Sequence, residues 1–332
     1  MTLTEGASRV VAYALYAPSL TFHKNIMTYL KGFSLKLALL LSAILIVSSC
    51  DDDDSNVYES PITINKNKNG TDIVKEGTRL EMPKLKGNGC TVLVHSTTDK
   101  EGVNFTVEWD IQKKAQRWTA YRIHKGQSGS AGYYGKFEED PDLPKSYRVS
   151  DTYSYYKGSG FTRGHICASA DRQYSKTANH QTFYYTNMQP QYYMFNAGNE
   201  DKYDSPWCRL ESKVRSWGRS SGCDTLYVVK GGTIEDDMLL KNSRYPKGKI
   251  GNQLPIPKYF FVALLMKTKN NYQAIGFWIE HDNVDHSRDA LSKYAKSIDD
   301  LEALTNIDFF CNLPDNTEDQ VEKSYAPIKW GL

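Results

Sequence analysis

Several features that would fix the class of this protein at once are missing from its sequence. Its six cysteines form no Cys-x-x-Cys pair and no cysteine–histidine spacing of the zinc-site kind, which argues against a structural zinc domain. No apolar run reaches the roughly 20 residues that a membrane-spanning helix needs. There is no internal repeat and no second linker after residue 90, so a solenoid or a string of small domains has no support. The serine-hydrolase elbow Gly-x-Ser-x-Gly is also missing, because Gly126-Gln127-Ser128-Gly129-Ser130 has a different order.

An excess of charge of one sign is lacking too. The 332 residues carry a net charge of +2. The first fifty hold four of the 41 Lys and Arg and one of the 39 Asp and Glu, leaving 37 against 38 in the body. A near-neutral body has no global field to attract polyanions, so phosphate binding would need a local cluster of Arg and Lys. What is present is the composition of a soluble globular chain, 40% hydrophobic and 24% charged with 23 tyrosines. Such a chain can bury a sizeable core without a disulfide scaffold.

The amino-terminal region has three parts: a basic start at Lys31 and Lys36, an apolar run from Leu37 to Val47, and Ser48-Ser49-Cys50. The run is too short for a stable anchor and its flanks suit a secretory signal. The small residues before the cysteine resemble the cleavage box of bacterial lipoproteins. That resemblance makes Cys50 the lipidated first residue and the outer membrane, on its periplasmic or cell-surface face, the expected location. An ordinary signal peptide with an incidental cysteine is the alternative. Residues 1–26 lack signal features, which suggests Met27 as the true start. The run Asp51-Asp52-Asp53-Asp54 and the polar stretch after it read as a flexible tether spanning 51–86, with one domain over 87–332. Export permits disulfides, but Cys90, Cys167, Cys208, Cys223 and Cys311 are odd in number, so at least one thiol stays free.

The body reads as mixed helix and strand. Apolar or β-branched runs predict strands at Cys90–His95, Val103–Asp110, Arg117–Ile123, Leu226–Lys230, Tyr259–Met266 and Tyr272–Ile279. Asp140-Pro141-Asp142-Leu143-Pro144 is turn chemistry. Ser205-Pro206 reads as a cap and first helical residue for a helix from Trp207 to about Arg219, and Ser287–Ala303 has helical spacing. The economical fold class is a single α+β domain.

The segment with chemistry in it is Gly160 to Arg219. Arg163-Gly164-His165 sets a permanent cation one residue from an imidazole, and in a strand both side chains project from one face. Phosphodiester hydrolysis uses that pair: a base for water and a guanidinium for charge building on phosphate oxygens. A carboxylate cluster for metal is absent from the segment; Asn196 offers one hard oxygen, with water filling the other positions, as magnesium tolerates.

Four ordered motifs turn these residues into a family signature. Thr162-Arg163-Gly164-His165, Asn187-Met188-Gln189-Pro190-Gln191, Asn196 and Trp207-Cys208-Arg209-Leu210-Glu211 resemble the DNA/RNA non-specific endonuclease family. The resemblance runs less sharply from Arg117-Trp118 to Trp330-Gly331-Leu332. It implies a ββα-metal core with mixed or antiparallel sheet and flanking helices. It also implies a magnesium-dependent enzyme, with manganese as substitute, that cuts DNA and RNA with little base specificity; no protein partner is predicted. By the same resemblance His165 is the general base, Arg163 the arginine near the phosphate, and Glu211 a carboxylate holding water around the metal. Asn196 is the metal ligand, and Asn187, Arg209 and Arg215 lie toward the substrate.

Plainer readings stand beside these: Asn187 satisfying a turn, Arg209 and Arg215 as solvated helix charges, and Asp171 pairing with Arg172. Tyr184-Tyr185 and Tyr192-Tyr193 read as packing, and His124, His180, His281 and His286 as structural or surface residues. Two departures from the family pattern stand out. Thr162 replaces the motif aspartate, and ten residues, 197–206, separate Asn196 from Trp207, where Pro206 breaks any continuous helix. For the whole chain, the competing classes are a surface lipoprotein that binds glycan or another polymer and a nuclease-fold protein without activity.

Overall fold

The structure, a computed structural model, describes residues 64–98, 102–149 and 152–332. Met27, the apolar run, Cys50 and the aspartate run lie outside the described residues. In chain order come strands β1 (Cys90–Thr97), β2 (Gly102–Asp110) and β3 (Ala115–Ile123), helix α1 (Thr152–Tyr156), β4 (Phe161–His165), α2 (Lys176–Gln181), β5 (Met188–Tyr192) and α3 (Tyr193–Ala197). Then follow α4 (Pro206–Gly218), β6 (Thr225–Gly232), β7 (Lys249–Ile250), β8 (Leu254–Pro255), β9 (Tyr259–Lys267), β10 (Tyr272–Glu280), β11 (Ala295–Lys296), α5 (Ile298–Thr305) and α6 (Asp315–Glu322).

Six of the expected strands form, and β11 joins them in one seven-stranded sheet of order β1-β2-β3-β6-β9-β10-β11, antiparallel throughout. The central strands read as continuous apolar runs because both faces are covered. On β9, Phe260, Val262 and Leu264 enter one core, while Phe261, Ala263 and Leu265 enter the other. Period-two alternation sorts them. The first face receives α4 through Trp207, Leu210 and Val214, spaced as one helical stripe. The second receives Ile298 and Leu301 of α5, Val321 of α6, and Met82 and Leu85. The α+β class with an antiparallel sheet is therefore as the sequence implies.

Two expectations are corrected. Residues 64–86 are no tether: Met82 is fully buried, Leu85 nearly so, and Asn69 donates to Pro83 O at 2.9 Å and accepts from Leu85 N at 3.0 Å. Burying such apolar side chains stabilises by about 1.5–3 kcal/mol each, enough to dock an otherwise polar segment. The helix over Ser287–Ala303 begins only at Ile298, where Ser297 Oγ accepts from Asp300 N at 3.1 Å. Before it, Asp289 gathers Lys293 Nζ at 2.7 Å and Tyr294 Oη at 2.6 Å, and residues 295–296 pair with β10. All five cysteines of the body are free thiols.

Candidate active site

Strands β4 and β5 form a separate antiparallel ribbon, with His165 opposite Met188 and Arg163 opposite Pro190. Pro190 cannot donate to a ladder, and β5 is an edge strand that tolerates it. Gly164 is required by space: a Cβ there would stand 2.1 Å from the side-chain carbonyl carbon of Gln191, itself fully buried. Gln189 ties the ribbon to the main sheet, accepting from Gly232 N at 2.6 Å and donating to Gln116 O at 3.3 Å. Asn187 is fully buried; it accepts from Cys167 N at 2.8 Å and donates to Cys167 O and Thr182 O at 2.9 and 2.8 Å. The motif residues around His165 thus brace one another.

Helix α3 follows β5 directly and ends at Gly198, whose φ is +75°. Helix α4 starts at Pro206 behind the cap Ser205, whose Oγ accepts from Cys208 N at 3.1 Å and donates to Phe195 O at 2.7 Å. One hydroxyl therefore joins the two helices that the insertion separates. Asn196 sits on α3, and its Nδ2 donates to Thr162 Oγ1 at 2.9 Å, which in turn donates to Gln191 O at 2.9 Å. The hydroxyl standing where the family motif has aspartate orients the Asn196 amide, leaving Oδ1 as that amide's remaining polar atom.

These elements wall a cleft of about 640 Å³ lined by Arg163, His165, Asn196, Glu211 and Arg215, among others. Two expected substrate-binding residues are not in it. Asn187 has its amide spent on backbone and positions the end of β4. Arg209 turns away, donating to Asp204 O at 3.0 Å and Asp289 O at 2.6 Å.

Burial, then the nearby charges of Lys230 and Arg163, pulls the His165 imidazole down to about 3, so the ring is neutral near pH 7. Its Nε2 is buried and meets no hydrogen-bonding group among the described residues. Phe183 packs edge-on against the ring with centroids 4.8 Å apart, and Phe137 packs beside it at 5.6 Å while lying 4.1 Å beneath the Arg163 guanidinium. Glu211 Oε1 accepts from Lys230 Nζ at 2.6 Å, and that buried ammonium also stands 4.3 Å over the Trp207 ring. Burial raises the Glu211 carboxyl above the usual carboxylate range, and Lys230 opposes the rise. Arg215 pairs with Asp171 at 3.0 Å, and Asp171 also accepts from Tyr121 Oη at 2.8 Å. Asp171 is thus engaged by Arg215, whereas Arg172 donates to Arg122 O at 3.0 Å.

Lys230, Phe137 and Tyr193 were not foreseen as site residues. A lysine ending the apolar run of β6 was a usable signal, since a charge in a doubly covered strand needs a partner. Phe137 lies in a glycine-rich loop with no periodicity to place it. Tyr193, expected to pack, is 44% exposed and lines the cleft, unlike Tyr184 and Tyr185, which are buried.

The donor set fits a hard divalent cation. Asn196 offers one neutral oxygen with its nitrogen committed elsewhere, and Glu211 adds a carboxylate at the same cleft, as for an ion that keeps most of its water.

Residues 88–316 match the DNA/RNA non-specific endonuclease family. The chain is 28% identical over 226 residues to the mitochondrial nuclease EXOG of Xenopus laevis, covering 65% of this chain and 59% of that protein. It is 28% identical over 229 residues to a nuclease of Nostoc sp., covering 66% and 75%. The match thus takes in less than two thirds of the frog relative's length. The crystal structure of an EndoG/EndoGI complex shares the fold, with a TM-score of 0.56 at 19% identity over 74% of this chain and 93% of that one. With the family's region spanning residues 88–316, most of the chain, the chain belongs to the DNA/RNA non-specific endonuclease family.

Proposed function

We propose that this protein is an endonuclease that hydrolyses phosphodiester bonds of DNA and RNA with the help of a magnesium-type ion. The observation that supports it most is the neutral His165, one residue from Arg163, on the same cleft as the oriented amide of Asn196. His165, a neutral ring on the wall of the cleft, takes the proton of an attacking water. Arg163, packed over the Phe137 ring, brings positive charge to the phosphate, and Arg215 adds a second cation at the wall. Glu211, with one oxygen committed to Lys230, accepts water at the other. A divalent ion held by Asn196 would supply Lewis-acid stabilisation of the phosphate oxygens. These contacts address backbone atoms, which DNA and RNA share, so little sequence preference follows.

We also propose export and lipid anchoring through Cys50 to the outer membrane. One experiment covers both statements. The full chain and its Cys50→Ser variant are expressed, fractionated and incubated with plasmid DNA and with RNA. Both forms should degrade both substrates with magnesium or manganese and stop with chelator, and only the variant should be soluble. Cleavage that survives exhaustive chelation contradicts the metal requirement, and a soluble wild type contradicts the anchor.

A further inference from the structure

The mouth of the cleft carries three tyrosines that the chemistry above does not use. Tyr133, Tyr193 and Tyr203 are 65, 44 and 63% exposed, and all three line the cleft. They are three of the five tyrosines that stand exposed among the described residues. Single exposed aromatics are ordinary, but three around one mouth form a patch with an orientation.

Each ring is held by its own device. Tyr133 packs edge-on against Phe183, centroids 4.9 Å apart, and lies over Gly135, where a Cβ would come within 3.1 Å of the ring. Tyr193 opens α3 one turn before Asn196, and its hydroxyl donates to the Asp201 carboxylate. Tyr203 belongs to the segment that separates α3 from α4. In that segment Glu200, Asp201 and Tyr203 all adopt left-handed φ, at 53, 57 and 52°, and Tyr203 N donates to Ala197 O at 2.7 Å. Non-glycine residues enter that region at a cost, so three of them within residues 200–203 mark a segment whose course the surrounding structure fixes.

Exposed aromatic faces beside cations are the means by which proteins hold unpaired nucleotides, because every base offers a π face once it leaves the duplex stack. Lys157 and Arg163 supply cations on the same cleft. We infer that Tyr133, Tyr193 and Tyr203 form a base-stacking rim that makes single-stranded DNA or RNA the preferred substrate over duplex. Tyr193, one turn from Asn196, would take a base next to the phosphate under attack. This inference rests on the nuclease reading and adds a substrate class to it.

The test compares one fluorescent strand of mixed sequence, alone and annealed to its complement, using the full chain with magnesium. Wild type should cut the free strand faster. In the double variant Tyr133→Ala/Tyr203→Ala the single-strand rate should fall about 25-fold or more, since each of the two stacks lost costs at least about fivefold. The duplex rate should change less than twofold, and Tyr203→Phe, which keeps the ring, should retain the preference. An unchanged single-strand rate in the double variant, or an equal loss on strand and duplex, overturns the rim and leaves the nuclease reading standing. Tyrosine-dependent retention on a polysaccharide column with unchanged strand cleavage also overturns it, in favour of a sugar-stacking surface. A wild type that cuts neither form defeats both readings.

Discussion

Gly164 illustrates how much a single hydrogen in place of a methyl can decide. Nothing about its backbone demands glycine; the constraint is the Gln191 side chain lying across it. Gln191 is fully buried and cannot swing into solvent, so Gly164→Ala must part β4 from β5 or distort one of them. The expected result is a destabilisation of about 1–3 kcal/mol, typical of overpacking. A drop in turnover of tenfold or more should accompany it, because His165 follows immediately. Thermal melts and plasmid cleavage on the variant check both, and wild-type behaviour in each would show that the ribbon has slack. The residues to inspect were legible in the sequence as motif members, but their duties were not. Asn187 braces the backbone of Cys167 and Arg209 reaches the carbonyl of Asp289, far along the chain, and no spacing rule encodes either contact. Thr162 is the reverse case: a departure from the family pattern that the structure explains through its bond to Asn196.

At the scale of elements, the break between α3 and α4 was readable because Pro206 and its serine cap mark a helix start. The start of α5 was misread, since helical spacing over 287–303 could not reveal that residues 295–296 complete the sheet. The α5–α6 pair holds a group of carboxyls that sequence reasoning did not single out: Glu302, Glu318 and Glu322, pushed by burial and mutual repulsion up to about 8, 7 and 9. Their folded-state values lie above those of the unfolded chain, so the folded protein binds more protons across this range. Stability from them is present at low pH and is lost as pH rises toward 9. The two histidines held down, His165 at about 3 and His281 at about 4, act oppositely, but only below about 6.5, where the unfolded chain takes up protons that they refuse. Between pH 7 and 9 the melting temperature should therefore fall, and Glu322→Gln should flatten the fall. A melting temperature that rises with pH over that interval would contradict the protonation states assigned to these helices.

For the whole molecule, bulk charge gave no sign of a nucleic-acid enzyme, and the structure shows why that absence misleads. The cations at the cleft are few, and those deeper in are paired: Arg215 with Asp171, Lys230 with Glu211. What a polyanion would meet is local. The fold class and most strands could be read from apolar runs, because a doubly covered sheet writes itself plainly into sequence. The docking of residues 64–86 could not, since it depends on a few buried groups such as Met82, Leu85 and Asn69 within a polar stretch. The proposed hydrolysis turns on one imidazole serving as base. The most direct test is the initial rate of plasmid cleavage by His165→Ala with saturating magnesium, beside circular dichroism to confirm folding. The variant should fold and be slowed by at least about a hundredfold, the lower bound for losing a positioned general base. A folded variant that cuts at the wild-type rate would contradict it.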